Sequence, residues 1–432
     1  MASVTIHEDK LLRPLLVTTR KYWILLGVLL VGVVWFVYAW ITQLSTGLVL
    51  TGMRDIPAGA AWGVYITNFV FWIGISHAGI AISAAIRLLG LKDYAGVGRL
   101  AEMITVFSLA MAGLSIVMDM GRPDRIFNII TNYSQRLPAS PLVWDITAVG
   151  TYFISSITYL YLELREDLAK LLNRVRWGWL YKLLLPGYTP GERGRIERVI
   201  WWASVFILAI MVMVHTTVAW IFGLMVGRPG WYSPLLAPYY VLGAILSGIA
   251  AVVVVTFIYR KIFNWQEVIP AKVYRGLGRV LCWFSILYLY FLLSEFLTVS
   301  FAGPVGELNI YVALRAQEFA WLYWLQVGVL SAAFTLFFIN TVFPKVFRVW
   351  TTVAAAGGVV ITLWATRFLI IIPSLIRPFL PYPQGSYTPT WIEWSLVGGT
   401  FVFVALFYTI ATKIFPMVSL TEMERAAEEG GK

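Results

Sequence analysis

The chain has 432 residues, 59% of them hydrophobic and only 13% charged, with a mean hydropathy of +0.78. A soluble domain carries roughly 25% charged residues, so a fold with water as its main solvent is excluded. The single cysteine, Cys282, excludes an internal disulfide and an iron–sulfur cluster held by this chain alone, while the net charge of +11 is a matter of where the charges lie.

Residues 1–21 are polar and basic, without the apolar core or small-residue cleavage site of a leader. The first apolar run is therefore expected to stay in the protein. Runs able to cross about 30 Å of hydrocarbon, at about 20 residues each, are expected near 22–44, 61–89, 101–119, 142–163, 199–227, 235–259, 280–303, 319–343, 347–373 and 391–415. The predicted fold is all-α and integral to the membrane, with ten spans. Span two carries Asn68 and His77, and span three runs from Glu102 to Asp119. Span four holds Trp144 and Asp145 at its start and Glu163 near its end. The basic loop 164–198 follows, and its stretch 177–185 (WGWLYKLLL) suits an interfacial helix. Span five carries His215, span seven Glu295 and span nine Arg367. Glu318 and Glu393 fall near span ends. The loop 373–390, with Pro373, Pro378, Pro381, Pro383 and Pro389, is expected to be stiff, and the charged tail from Thr421 mobile.

With the N-terminus inside, the cytoplasmic segments hold 25 Lys and Arg and the outer loops 7. That bias predicts both termini in the cytoplasm. It accounts for the positive charge without nucleic acid. Gly96-Val97-Gly98-Arg99-Leu100 at the start of span three matches Gly276-Leu277-Gly278-Arg279-Val280 at the start of span seven. Ser76-His77-Ala78-Gly79-Ile80-Ala81 likewise resembles Ile245-Leu246-Ser247-Gly248-Ile249-Ala250. Spans 2–5 and 6–9 are therefore expected to be two tandem four-helix bundles in the same orientation, flanked by spans 1 and 10. The corresponding units are 1–60, 61–227, 228–373 and 374–432.

Ionisable groups at membrane depth are costly, which makes each one a functional candidate. At about 1.5 Å per residue, His215 lies ~18 Å and His77 ~22 Å below the outer surface, with Asp119 and Asp145 close to it. Carboxylates and imidazoles in one bundle offer hydrogen bonds to a quinol's oxygens and bases for its two protons. Gly121-Arg122-Pro123 and Gly227-Arg228-Pro229 suit helix C-caps, and Arg122 has a second possible role beside Asp119. Glu295, with Arg367 or Glu318 as partner, and Glu102 and Glu163 near the inner side are candidates for a proton path. Each of these residues also admits a packing role, in which its polar group only hydrogen-bonds a neighbouring helix. Of the three histidines, His7 lies in the N-terminal tail, so His77 and His215 leave room for one bis-imidazole haem and no transmembrane haem wire. The expectation is no haem.

Residues 62–79 (WGVYITNFVFWIGISHAG) resemble span two of the NrfD/PsrC-like membrane subunits, which include the polysulfide reductase membrane subunit and the large membrane subunits of alternative complex III. Further resemblance lies in 119–123 (DMGRP), 140–145 (SPLVWD), His215-Thr216, 229–233 (PGWYS) and 387–394 (YTPTWIEW). The chain departs from the alternative complex III pattern at Ile221, where an acidic residue is common. The resemblance implies a quinone-reactive subunit without cofactors of its own, using menaquinone or ubiquinone as substrate, in a prokaryotic cytoplasmic membrane. It implies a site on Asp119, Asp145 and His215, with His77, Arg122, Asn68 and Trp144 beside them. The implied partners are an iron–sulfur subunit at the outer face and, beyond it, a molybdopterin subunit, a multihaem cytochrome or a second similar membrane subunit. Coupling to proton translocation is a further expectation. A secondary transporter and a passive anchor subunit stand as alternatives.

Overall fold

The computed structural model describes residues 10–54, 59–189, 191, 193–380 and 383–424. His7 and Pro381 lie outside them. Ten long helices follow one another: α1 Arg20–Thr46, α2 Val64–Leu88, α3 Ala95–Asp119, α4 Pro141–Leu171, α5 Arg193–Gly223, α6 Leu236–Ile262, α7 Ala271–Ala302, α8 Ala320–Val342, α9 Val349–Ile376 and α10 Trp391–Ile414. Among the described residues there is no strand. Nine of the ten are long and apolar enough to cross a membrane. The tenth, α4, is more polar because its final turns carry Glu163, Arg165, Glu166, Asp167 and Lys170. The chain is a multi-pass membrane protein.

Helix–helix contacts close two rings. In the first, α2 packs on α3, α3 on α4, α4 on α5 and α5 on α2; in the second, α6, α7, α8 and α9 do the same. The rings meet where α6 packs against α2 and α5, and α9 against α2. Helix α1 stands outside, touching α10 through a narrow stripe of Leu29, Phe36, Ala39 and Gln43. Its other face is bare and apolar, with Val28, Val31 and Val34 exposed, which suits lipid rather than water.

The matched Gly-Arg segments meet across this junction in a reciprocal way. A side chain at Gly96 would strike Val268, in the turn before α7. One at Gly276 would strike Tyr94, in the turn before α3. Lys272 and Asp93 pair across the same seam at 2.6 Å. The two arginines differ, however: Arg99 is buried and Arg279 exposed. The other sequence match is not a match of contacts, since Gly79 faces Ala101 of α3 whereas Gly248 faces Ala78 of α2.

The first and last described segments lie on one face. Lys413 at the end of α10 donates to the carbonyls of Pro14 and Val17, and Lys10 pairs with Glu267 at 2.8 Å. Thr421, expected at the start of a mobile tail, is instead anchored. Its backbone N–H and hydroxyl donate to Asp167 at 3.1 and 2.9 Å, and Glu422 pairs with Arg87 at 3.2 Å. Asp167 is fully buried, so a folded-back chain is the natural source of donors for it.

Two boundaries differ from expectation. Pro373 lies inside the last turn of α9 rather than in the loop, where its missing N–H forfeits one intrahelical hydrogen bond. The outer loop between α7 and α8 forms a helix of its own, Val305–Ala316. The stretch expected to lie along the interface forms a short helix, Gly178–Leu184.

Candidate functional site

The deepest polar feature of the first ring is a histidine pair. His77 of α2 and His215 of α5 are both fully buried, with ring centroids 4.4 Å apart and the rings at 70°. The similar depths estimated from sequence thus become direct contact. His77 has a carbonyl at each ring nitrogen, Ile73 O at 2.6 Å from Nδ1 and Met211 O at 2.7 Å from Nε2. A neutral imidazole has one N–H, so it can satisfy one of these carbonyls; an imidazolium satisfies both. His215 is the opposite case, because neither of its ring nitrogens has a well-aligned hydrogen-bond partner among the described residues. At 4.4 Å, two imidazolium charges would repel by roughly 4 kcal/mol even with strong protein screening. That repulsion limits the pair to at most one extra proton. Both nitrogens of His77 being committed, it is not presented as an axial haem ligand in this arrangement.

Neighbours that the sequence did not place surround the pair. Tyr240 of α6 lies 5.9 Å from the His215 ring, and the guanidinium of Arg367 sits 4.4 Å over the Tyr240 ring. Arg367 is 1% exposed, and it donates to the Tyr240 carbonyl at 3.4 Å. Its expected partner was Glu295. The structure gives it Tyr240 instead and puts it at the junction of the rings. Trp62, Phe222 and Trp231 form an aromatic roof that reaches the pair through Tyr240, with Trp62 and Trp231 stacked at 6.1 Å, Phe222 5.0 Å from Trp231 and 6.0 Å from Tyr240. Trp231 is held by its indole N–H, which donates to Ile370 O at 2.7 Å. The roof explains why the Trp62 and Trp231 motifs belong together.

The outer carboxylates are separate from each other. Asp145 of α4 is 2% exposed, with Oδ1 buried and unpartnered among the described residues. Asp119 also keeps a buried Oδ1 without such a partner, but its electrostatic neighbours are Tyr65 and Glu393 on the α1–α10 side. The two do not form one dyad. Arg122, considered as a partner of Asp119, is exposed and makes a two-pronged ion pair with Asp124 at 2.9 and 2.7 Å. Those hydrogen bonds hold the Asp124 carboxyl below its ordinary range.

Two residues expected beside a quinone are used up by packing. Asn68 donates to Ser115 Oγ at 3.0 Å and Thr400 Oγ1 at 3.1 Å and accepts from the Trp364 indole at 3.3 Å, tying four helices together. Trp144 donates to the carbonyl of Leu137 in the loop before α4.

Glu102 and Glu163 belong to a buried ion cluster at the inner end of the ring. Ser83 donates to Glu102 at 2.5 Å, and Arg99 lies 3.6 Å from the same carboxylate and 3.1 Å from Asp167. Arg87 pairs with Glu163. Two arginines face these three carboxylates and Glu422 there, and Glu102 Oε2 and Arg99 Nη1 keep no hydrogen-bond partner among the described residues, so burying this cluster is costly. Glu295 stands apart in the second ring, where it lines a cavity of about 280 Å³. The cation whose charge reaches it is Arg315, while Glu318 pairs with Arg377 at 2.9 Å.

The fold and this site define a polytopic membrane protein with protonatable groups buried in one helical ring. Residues 49–378 match the family described as polysulphide reductase, NrfD. The chain belongs to the NrfD family. It is 28% identical to the putative dimethyl sulfoxide reductase membrane subunit of Halobacterium salinarum, over 94% of each chain. It is 22% identical to a selenate reductase subunit of Mesobacillus selenatarsenatis, over 87% of this chain and 89% of that one. Identity to the Hdr-like menaquinol oxidoreductase integral membrane subunit of Archaeoglobus fulgidus is 23%, over 88% and 90%.

Proposed function

We propose that this chain is the quinol-reactive membrane subunit of a multi-subunit oxidoreductase in a prokaryotic cytoplasmic membrane. One observation carries the reading. Of the residues expected at the site, Asn68, His77, Arg122 and Trp144 have their polar groups engaged within the chain, whereas Asp119, Asp145 and His215 each keep a buried polar atom without a partner among the described residues. Buried polar atoms are rarely left so, and a ligand or water is the usual completion. Asp145 then accepts a hydrogen bond from a quinol hydroxyl. As the quinol gives up two electrons to the partner's redox centre, Asp145 takes the proton of the hydroxyl it holds and His215 takes the other, with His77 as the neighbour able to share it through its second carbonyl. The Trp62, Phe222 and Trp231 roof keeps the imidazoles from bulk water.

The name of one relative, the menaquinol oxidoreductase subunit, supports menaquinol as substrate, and the names of the other two support a reductase assembly as context. On this reading the electrons pass to or from an iron–sulfur subunit at the outer face, and from there to a molybdopterin subunit, a multihaem cytochrome or a second similar membrane subunit. The full complex, purified in mild detergent, is expected to retain redox subunits and an extractable quinone. A chain that purifies alone, free of quinone, would favour the transporter reading.

Proton coupling is a second reading, favoured by a ladder of polar groups through the first ring. Tyr159 Oη lies 3.5 Å from Ser83 Oγ, which donates to Glu102. Further along, Thr105 and Tyr152 donate to Ser76 O at 2.7 and 3.1 Å, and Ser76 Oγ lies 3.4 Å from His77 Nδ1. The ladder leads from the inner ion cluster toward the histidine pair.

A further inference from the structure

The cavity in the second ring is not used by the site above. It lies at the outer ends of α6–α9 beside the Val305–Ala316 helix, and its volume of about 280 Å³ sits at the lower edge of the range for small-molecule sites. That is room for a ring, without its tail. Tyr239, Phe291, Tyr311 and Tyr323 supply aromatic wall.

Its lining mixes hydroxyls, among them Tyr239, Thr298, Tyr311 and Ser374, with acceptors, and the buried polar atom in it left without a partner among the described residues is an acceptor. Gln326 is 3% exposed, lines the cavity and has a buried Oε1 with no partner among the described residues. Glu295 and Glu307 add two carboxylates to the lining. The cation close to Glu295 is engaged beside the lining rather than in it: Arg315 lies 4.0 Å from both the Phe296 and Tyr311 ring centroids and donates to Tyr323 Oη at 3.0 Å, with its Nε left unpartnered among the described residues. The unmet Gln326 acceptor, with two carboxylates in the same aromatic lining, calls for a flat ligand that donates. A lipid acyl chain brings no donor, and an oxidised quinone brings only acceptors.

We infer that this cavity is a second binding site, for the reduced, hydroxyl-bearing ring of a membrane quinol, with Gln326 and Glu295 accepting from its hydroxyls. The inference rests on the reading that the chain handles quinols, but it concerns a different ring of helices. The two sites share a wall: on α6, Tyr239 lines the cavity, and the next residue, Tyr240, touches His215. Tyr239 also stacks on Tyr288 at 4.7 Å, and Tyr288 and the Arg367 guanidinium both crowd Gly243. A ligand in the cavity therefore sits two aromatic layers from the histidine pair.

The test is photolabelling of the full complex in lipid nanodiscs with an aryl-azide naphthoquinol, followed by peptide mapping. The expected result is labelling within 291–326 that excess unlabelled naphthoquinol suppresses and the oxidised naphthoquinone suppresses far less. Glu295→Gln, which keeps the side chain's shape, and Gln326→Leu should each lower that labelling about tenfold and leave labelling within 141–222 unchanged. Thermal unfolding of both variants separates lost binding from lost fold. Absent or unsuppressed labelling in 291–326, or labelling there indifferent to folded Glu295→Gln, overturns the second site and leaves the first-ring reading standing. Labelling confined to 291–326 keeps the second site and removes the first-ring one.

Discussion

Glu393 is fully buried at the start of α10, where it accepts from Gly52 N at 2.6 Å, Thr390 N at 2.9 Å and Tyr387 Oη at 2.5 Å. It closes a capping box on α10, and Tyr387 Oη in turn accepts from Val64 N at 2.9 Å, so one carboxylate ties the loop after α1 to the outer ends of α2 and α10. Glu393→Ala strands three donors and is expected to cost about 3–5 kcal/mol, against about 1–2 kcal/mol for Tyr387→Phe. Thermal unfolding of the two variants in detergent checks the order; equal melting temperatures would contradict this role. In the sequence Glu393 looks like an ordinary span-end carboxylate. His77, Asp145, His215 and Arg367, all buried, and Glu295, which is not, are legible there because ionisable groups are rare in apolar runs. Their partners are not, since these come from other helices at long separations. Arg367 meets Tyr240 across 127 positions, and nothing in the local pattern announces it.

At the scale of elements, nearly all of the helix pattern is legible, since length and apolarity alone mark a span. What hydropathy cannot show is how closely two helices approach. The α2–α3 pair is a tight example, at the level of the histidine. Thr105 Oγ1 donates to Ser76 O at 2.7 Å and accepts from Ile80 N at 3.0 Å, bridging two groups that a regular helix joins directly. This needs Gly79, where a Cβ would strike the Ala101 carbonyl and Thr105. Gly79→Ala must push α3 away from backbone that cannot rotate aside, at about 2–4 kcal/mol. Gly113→Ala, on the same α3 with open space around it, is expected to be neutral or stabilising by up to about 1 kcal/mol. Paired unfolding curves test the contrast, and a Gly79→Ala variant as stable as Gly113→Ala would contradict the close approach.

For the whole molecule, two rings of four helices create two unlike interiors from one architecture. The first is filled with charge at its inner end, where Arg87, Arg99, Glu102, Glu163 and Asp167 cluster, and holds imidazoles at mid-depth. The second has an exposed Arg279 at the position matching Arg99 and a cavity at its outer end. Lys and Arg counts predict which face carries the termini, and the contacts among the N-terminal segment, α10 and the strap at 419–422 place both described ends together. The cavity is not legible in the sequence, because empty volume depends on how many segments fit together and no residue signals it. Glu295 stands out in the sequence as unusual, but its setting is a property of the packed ring.

The unpartnered groups of the first ring carry the proposed function. Their most direct test is quinol-dependent electron transfer by the assembled complex in nanodiscs, with Asp145→Asn and His215→Ala compared against wild type. Both variants are expected to assemble with the same subunits and to lose quinol turnover by about a hundredfold, the scale of a lost general base. Unchanged turnover in both, with assembly intact, would contradict a quinol site in the first ring.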